Sequence, residues 1–174
     1  KYALIMDEAF LTWLEHNLPA MMALDLEVLA VAVKRCCAYK AQVVAQDERE
    51  SGVRALLNFG HTFGHVIETH EGYGEWLHGE AVAAGMVQAA MMSQKLGWLT
   101  QNDTDRIKHI LTLANLPITP PAISAATALD LMGHDKKVKG GKIRLILLKS
   151  LGEGILTDDF DEKLLIEVLS QSNP

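Results

Sequence analysis

The sequence predicts a mainly α-helical domain of six to eight helices, with a minor β-strand or hairpin near residues 138–157. Two observations support this fold class. Apolar residues recur at helical spacing through most of the chain, whereas only the run IRLILL, between a Gly-Gly and a Leu-Gly pair, has the continuous apolar character of a strand. A chain of 174 residues is long enough to bury one core, so we predict a single domain over residues 1–174.

Three helices are predicted in the first part of the chain. Asp7 to Leu18 has the spacing of a short amphipathic helix with Asp7 as its N-cap, and Pro19 is expected to end it or to begin the next turn. Leu26 to about Gln46 is apolar on most of its surface and is predicted as a long helix. The third is predicted from about Val53 to Thr69.

Four more helices are predicted in the rest of the chain, one long and three short. The segment from Gly79 to Leu96 is rich in Ala and Met, and its small side chains indicate close packing against another helix. Three further helices are predicted over residues 102–114, 124–132 and 159–170, and three prolines enforce a loop between the first two of these.

Charge and cysteine usage exclude several classes of protein. The formal net charge of −6 and the pI near 5.6 argue against non-specific nucleic-acid binding, which needs many cationic side chains. The apolar runs are too short for a membrane span, which takes about 18 to 20 residues. Because Cys36 and Cys37 are adjacent and are the only cysteines, we expect no disulfide framework, buried or half-buried thiols, and a cytoplasmic setting.

A polar stripe marks the third helix as a candidate site. At about 100° per residue, Arg54, Asn58, His61, His65 and Glu68 fall within roughly a quarter-turn of one helix face. The rest of this helix is apolar, so the segment is expected to be largely buried. Buried polar groups need partners, and a ligand or a metal would supply them.

Three histidines are candidate metal ligands. His61 and His65 lie one helical turn apart, and His78 begins the next apolar run, where Glu80 accompanies it. Histidines at this spacing also occur as core residues that hydrogen-bond to neighbouring helices, so both interpretations stay open. The residue after His61 is Thr62, which excludes the HExxH motif of helix-borne zinc proteases.

Five cationic residues form a second candidate group that only a fold can assemble. They are Lys1, Lys40, Arg54, Lys136 and Lys137. The two lysines of the DKK run also suit a solvated turn, and Lys40 also suits a surface position with its stem along apolar neighbours.

Three runs carry a resemblance to a known family. The chain resembles the C-terminal domain of the 3-dehydroquinate synthases in KAQVVAQDERESGVRALLNFGHTFGHVIE, in LHGEAVAAGM, and in DKK followed by IRLILLKSLG. The resemblance covers essentially the whole chain. It implies an α-helical metal- and substrate-binding domain, together with an N-terminal NAD-binding domain that is absent from these 174 residues.

The resemblance also implies an activity. Enzymes of this family are lyases of the shikimate pathway that convert 3-deoxy-D-arabino-heptulosonate 7-phosphate, a phosphorylated sugar acid, to 3-dehydroquinate and phosphate. They use a tightly bound NAD that is regenerated in each turnover and a Zn²⁺ or Co²⁺ ion that polarises the alcohol being oxidised. They are usually homodimers. This chain alone is expected to be inactive.

Matched onto this sequence, the family pattern gives each candidate a role. His61 and His78 correspond to metal ligands, and the third ligand is expected to be a Glu three residues upstream of Lys1. His65 belongs to the environment of the substrate phosphate and assists proton transfer. The residues expected to hold the substrate carboxylate and phosphate are Lys40, Arg54, Asn58 and, in preference to Lys137, Lys136. Lys1 is expected to be a further catalytic residue.

Two alternatives compete with this interpretation. One is a sibling enzyme of the same architecture, either another sugar-phosphate cyclase or a metal-dependent alcohol or glycerol dehydrogenase. The other is a non-catalytic helical binding domain whose histidines are core residues.

Overall fold

The computed structural model describes residues 1–47, 52–72, 74–134 and 142–171. Within these residues it contains eight α-helices, one 3₁₀ segment and one two-stranded antiparallel sheet, which confirms the mainly α fold class and the hairpin. The elements in chain order are α1 Tyr2–Met6, α2 Glu8–Met22, α3 Leu26–Gln46, the 3₁₀ segment Val53–Asn58, α4 His61–Glu71, α5 His78–Lys95, α6 Gln101–Leu113, α7 Ala125–His134, β1 Leu145–Ser150, β2 Glu153–Thr157 and α8 Glu162–Gln171.

Helix α2 begins as predicted but continues further. The carboxylate of Asp7 accepts a hydrogen bond from the backbone N–H of Phe10 at 2.9 Å, which caps the helix. The prediction that Pro19 ends this helix is wrong, because α2 continues to Met22. Proline removes only its own N–H, and its carbonyl still accepts a helical bond from Ala23 at 3.0 Å.

Helix α3 has the predicted bounds and an exposed apolar stripe. Only Ala32 and Val43 are fully buried. Exposed apolar side chains at Leu26, Val33 and Cys37 follow one another on one face. Leu26 is 78% exposed and Val33 59% exposed. The prediction of two buried or half-buried thiols is therefore wrong for Cys37, since α3 turns that side chain into solvent.

The predicted continuous helix over residues 53–69 is wrong. The chain forms a 3₁₀ segment up to Asn58 and starts a separate helix, α4, at His61. Gly60 causes the break, because it adopts a left-handed conformation with φ of 82°. A side chain there would also lie 2.6 Å from Met86 Cγ and 2.7 Å from the carbonyl of Val82. The polar stripe is consequently divided between two elements.

Helix α5 is the centre of the domain and packs against α4, α6, α8 and β1. Its packing against α4 is unusually close, as its small residues predicted. A Cβ on Gly85 would lie 2.2 Å from the carbonyl oxygen of Gly60, and one on Gly64 would lie 3.1 Å from the backbone N of Val82. The backbones of α4 and α5 therefore meet without intervening side chains.

The hairpin packs against α5 through β1. Strands β1 and β2 are antiparallel, and Leu145 lies opposite Thr157. The register is irregular between Leu148 and Ser150. The first four side chains of β1 are buried. Helix α1 docks at the hairpin turn, where the N–H of Gly152 donates to the carbonyl of Leu4 at 2.9 Å.

A buried hydroxyl joins α5 to β1, and we expect its removal to destabilise the domain. Ser93 Oγ donates to the carbonyl of Ala89 at 2.8 Å and accepts from the N–H of Leu148 at 3.0 Å. Ser93 and Leu148 are both 0% exposed. Ser93→Ala removes this acceptor from a buried N–H and should cost about 1–3 kcal/mol, measured as the free energy of unfolding in urea.

The matched control for this substitution is Ser170→Ala. Ser170 Oγ makes the same type of bond to the carbonyl four residues earlier, at 2.8 Å, but on an exposed surface. We expect its change in unfolding free energy to stay within about 0.5 kcal/mol. Equal effects of the two substitutions would show that burial of the Ser93 bond contributes nothing.

None of the helices in the described parts of the chain is both long and apolar enough to cross a lipid bilayer.

Candidate metal and anion site

Three imidazole rings gather where α4 and α5 begin. His61 and His65 occupy the first two turns of α4, and His78 is the first residue of α5. The ring centroids of His61 and His78 are 5.2 Å apart, those of His61 and His65 are 5.9 Å apart, and those of His65 and His78 are 6.1 Å apart. The structure thus brings together all three histidines that the sequence singled out.

The glycine contacts between the two helices account for this proximity. Gly64 directly precedes His65 and packs against the backbone of Ala81 and Val82, in the first turn of α5 after His78. Gly85 packs equally closely against the backbone of Gly60, one turn further along α5. Small residues in the sequence therefore set the separation of the helices, and that separation sets the spacing of the rings.

Glu68 connects two of the rings. Its Oε1 lies 2.9 Å from Nδ1 of His78, and its Oε2 lies 2.9 Å from Nδ1 of His65. The carboxylate is 16% exposed, whereas the side chains of His65 and His78 are 45% and 57% exposed. Burial raises the pKa of Glu68, but the hydrogen bonds from His78 and His65 outweigh it and leave that pKa below its ordinary value.

These contacts fix the tautomers of the neutral rings. An ionised carboxylate only accepts hydrogen bonds, so the Nδ1 atoms of His65 and His78 must both donate to Glu68. Nδ1 of His61 faces the carbonyl oxygen of Phe59 at 3.3 Å, which also only accepts. In its neutral form each ring therefore carries its lone pair on Nε2.

Glu80, which accompanies His78 in the sequence, has a local role in the structure. Its Oε2 accepts a hydrogen bond from the backbone N–H of Leu77 at 2.9 Å. This contact satisfies one of the backbone groups at the start of α5. It thereby helps to fix the position at which His78 enters the helix.

The cationic candidates are partly assembled. Burial lowers the pKa of the Lys1 side chain, and the positive charge of Lys40 lowers it further, so the two ammonium groups lie within electrostatic range of each other. Arg54 and Asn58 are half-buried in the 3₁₀ segment that precedes α4. The buried carboxylate of Asp47 anchors this segment by accepting from the N–H of Arg54 at 3.0 Å. Lys136 and Lys137 lie outside the described residues.

Glu68 is the residue to which the sequence assigned no role. Its position three residues after His65 was a usable signal, since residues three apart on a helix are neighbours. Its contact with His78 was not predictable locally, because it depends on how α4 packs against α5.

The donor chemistry of the cluster suits a zinc or cobalt ion, which neutral imidazole nitrogens bind readily. His61 and His78 come from separate elements and have the closest rings of the three. In the described ranges, however, no group of three or more His, Cys, Asp or Glu side chains is arranged to hold a metal ion. The pair fits part of a metal site, and its assignment as metal ligands stays a prediction.

The fold is that of the sugar phosphate cyclases. It superposes on 2-epi-5-epi-valiolone synthase of Streptomyces hygroscopicus, solved with NAD⁺ and Zn²⁺ bound, with a TM-score of 0.87 and 21% identity, over 98% of this chain and 48% of that one. It also superposes on 2-deoxy-scyllo-inosose synthase, solved with carbaglucose-6-phosphate, NAD⁺ and Co²⁺, with a TM-score of 0.66 and 26% identity, over 78% of this chain and 40% of that one.

Within this class the chain belongs to the family described as 3-dehydroquinate synthase C-terminal, which matches residues 1–138. The 3-dehydroquinate synthase of Psychrobacter cryohalolentis is 79% identical over 174 residues, which are 100% of this chain and 47% of that relative. That of Acinetobacter baumannii is 56% identical over 169 residues, or 97% of this chain and 47% of the relative. The chain thus spans about half the length of these curated relatives.

Proposed function

We propose that the full-length protein containing this chain is a cytoplasmic 3-dehydroquinate synthase. Its substrate is 3-deoxy-D-arabino-heptulosonate 7-phosphate, and its products are 3-dehydroquinate and phosphate. The observation that carries the proposal is the 5.2 Å approach of the His61 and His78 rings in a chain of this family.

His61 and His78 are proposed to hold the metal through Nε2, the atom that carries the lone pair in each neutral ring. Two protein ligands are fewer than the three of a typical catalytic zinc site, so a further ligand is required. We propose a glutamate preceding Lys1 in the full-length protein. A metal held there would supply Lewis-acid polarisation of the substrate alcohol, and NAD would supply the hydride transfer.

The other residues are proposed to bind the anionic groups of the substrate and to move protons. Lys1 and Lys40 are close enough to repel each other, so a dianionic phosphate or a carboxylate beside them would relieve that repulsion. Arg54 and Asn58 supply further donors suited to an anion. His65 holds its Nδ1 proton against Glu68, which leaves Nε2 to accept and return a proton.

Phosphate release tests this function directly. We expect the full-length protein to release phosphate from the heptulosonate phosphate, and we expect the activity to disappear after treatment with a metal chelator and to return with Zn²⁺ or Co²⁺. The 174-residue chain alone should release none, because we propose that NAD is bound by an N-terminal domain. A full-length protein inactive toward this substrate, or a chain active alone, would contradict the proposal.

Substrate preference distinguishes the proposed function from that of a sibling cyclase or a polyol dehydrogenase. Lys40 and Arg54, together with the lysines of the DKK run, favour a phosphorylated and carboxylated substrate over a simple polyol. Parallel assays with sedoheptulose 7-phosphate, glucose 6-phosphate and glycerol should give no turnover by the full-length protein. Preference for one of these compounds would assign it to the corresponding sibling class.

A further inference from the structure

Glu68 has the geometry of a shared support for two functional rings. Each of its oxygens is used by a different ring, Oε1 by His78 and Oε2 by His65, both at 2.9 Å. The two rings come from different helices, whereas Glu68 lies one turn below His65 on α4. The Glu68 side chain therefore sets the orientation of both rings, although the proposed function assigns metal binding to His78 and proton transfer to His65.

Exposure distinguishes this arrangement from a surface ion pair. The two rings are about half exposed, at 45% and 57%, while the carboxylate beneath them is 16% exposed. The solvent-exposed side of the cluster is thus formed by the His65 and His78 rings, and the Glu68 carboxylate lies beneath them. Metal-bound histidines commonly donate their second ring N–H to such a carboxylate, which fixes the ring and makes it a stronger ligand.

We infer that Glu68 is a positioning residue that holds His78 and His65 together as Nδ1–H tautomers, so that His78 presents Nε2 to the metal while His65 presents Nε2 for proton transfer. This inference rests on the proposed function for the tasks of the two rings. The tautomers themselves follow from the hydrogen bonds.

The test is Glu68→Gln in the full-length protein. The amide keeps the shape of the carboxylate but replaces one acceptor oxygen with an NH₂ donor. The ring that faces this donor must accept at Nδ1 and carry its proton on Nε2. Nitrogen NMR of ¹⁵N-histidine-labelled, metal-free protein at a pH above the ordinary imidazole pKa of about 6.5 distinguishes the two tautomers, with signals assigned from His65→Ala and His78→Ala.

We expect both rings to be Nδ1–H in the wild type and at least one to become Nε2–H in Glu68→Gln. Zinc affinity, measured by competition with a chelating dye, should fall about 10- to 100-fold. Glu71→Gln is the matched control, since it makes the same charge change on α4 at a residue whose carboxylate lies 3.8 Å from His70 instead. It should alter neither measurement.

A second variant keeps the test decisive if Glu68→Gln folds poorly. Glu68→Asp retains the charge but is one methylene shorter, so it should keep at most one of the two hydrogen bonds and weaken zinc binding. Unchanged tautomers in folded Glu68→Gln, or a zinc affinity of either folded variant equal to that of Glu71→Gln, would overturn the inference. A wild type that binds no zinc would instead refute the metal role in the proposed function, and the tautomers would still decide the role of Glu68.

Discussion

Replacing Gly85 with alanine is expected to destabilise the domain by at least about 3 kcal/mol, at the upper end of the range for overpacked cores. The new Cβ would lie 2.2 Å from the carbonyl oxygen of Gly60 and 2.8 Å from the backbone N of Gly64. Both atoms belong to the backbone, so no side-chain rotation relieves the clash and α4 must move away from α5. Urea unfolding of the full-length protein should show the loss.

Gly79→Ala is the matched control for this effect. Gly79 lies in the same helix, α5, but a Cβ there would meet nothing within 4 Å. Alanine in a helix is favoured over glycine by roughly 0.5–1 kcal/mol, so this variant should be as stable as the wild type or slightly more stable. Equal stability of the Gly85 and Gly79 variants would show that the helix pair adjusts freely, contrary to the close packing described above.

Removing His78 is expected to abolish the metal-dependent activity. His78→Ala deletes one of the two proposed metal ligands, and His61→Ala deletes the other. Polarisation by a bound metal is worth several kcal/mol, and each ~1.4 kcal/mol is a factor of ten, so phosphate release should fall about 1,000-fold or more. Metal content per protein chain should fall in parallel, as measured by elemental analysis.

His70→Ala provides the comparison. His70 lies on α4, is exposed, and contacts Glu71 instead of the histidine cluster. Its removal should leave metal content and activity within about twofold of the wild type, because surface substitutions away from a site have small effects. If His61→Ala and His78→Ala behaved like His70→Ala, the histidines would be structural and a helical binding domain would be the better description.

Local signals in the sequence were enough to predict most of the helices. Helix α3 has its predicted bounds, because a long apolar segment lies between an N-capping Asp25 and the polar residues that follow Gln46. The Asp7 cap and the hairpin near IRLILL were also predicted from their own residues. Helix α1 was missed because its five residues are too few to establish a periodicity.

The errors arose where a distant part of the chain decides the local structure. Gly60 ends the expected long helix with its left-handed conformation, at a position where Val82 and Met86 of α5 leave no room for a side chain. The histidine cluster was anticipated from its motif, but the contact of Glu68 with His78 required the packed helix pair. The effect of the Lys40 charge on the pKa of Lys1 likewise exists only in the folded chain.

The exposed stripe on α3 has a consequence for this chain in isolation. Apolar side chains such as Leu26 and Val33 favour contact between copies, whereas the net charge of −6 opposes it. Salt weakens only the second effect, because at 0.15 M it screens charges beyond about 8 Å and leaves apolar attraction intact. The colloidal behaviour of the 174-residue chain should therefore depend on ionic strength, with solutions that are clear at low salt and scatter light as salt is added.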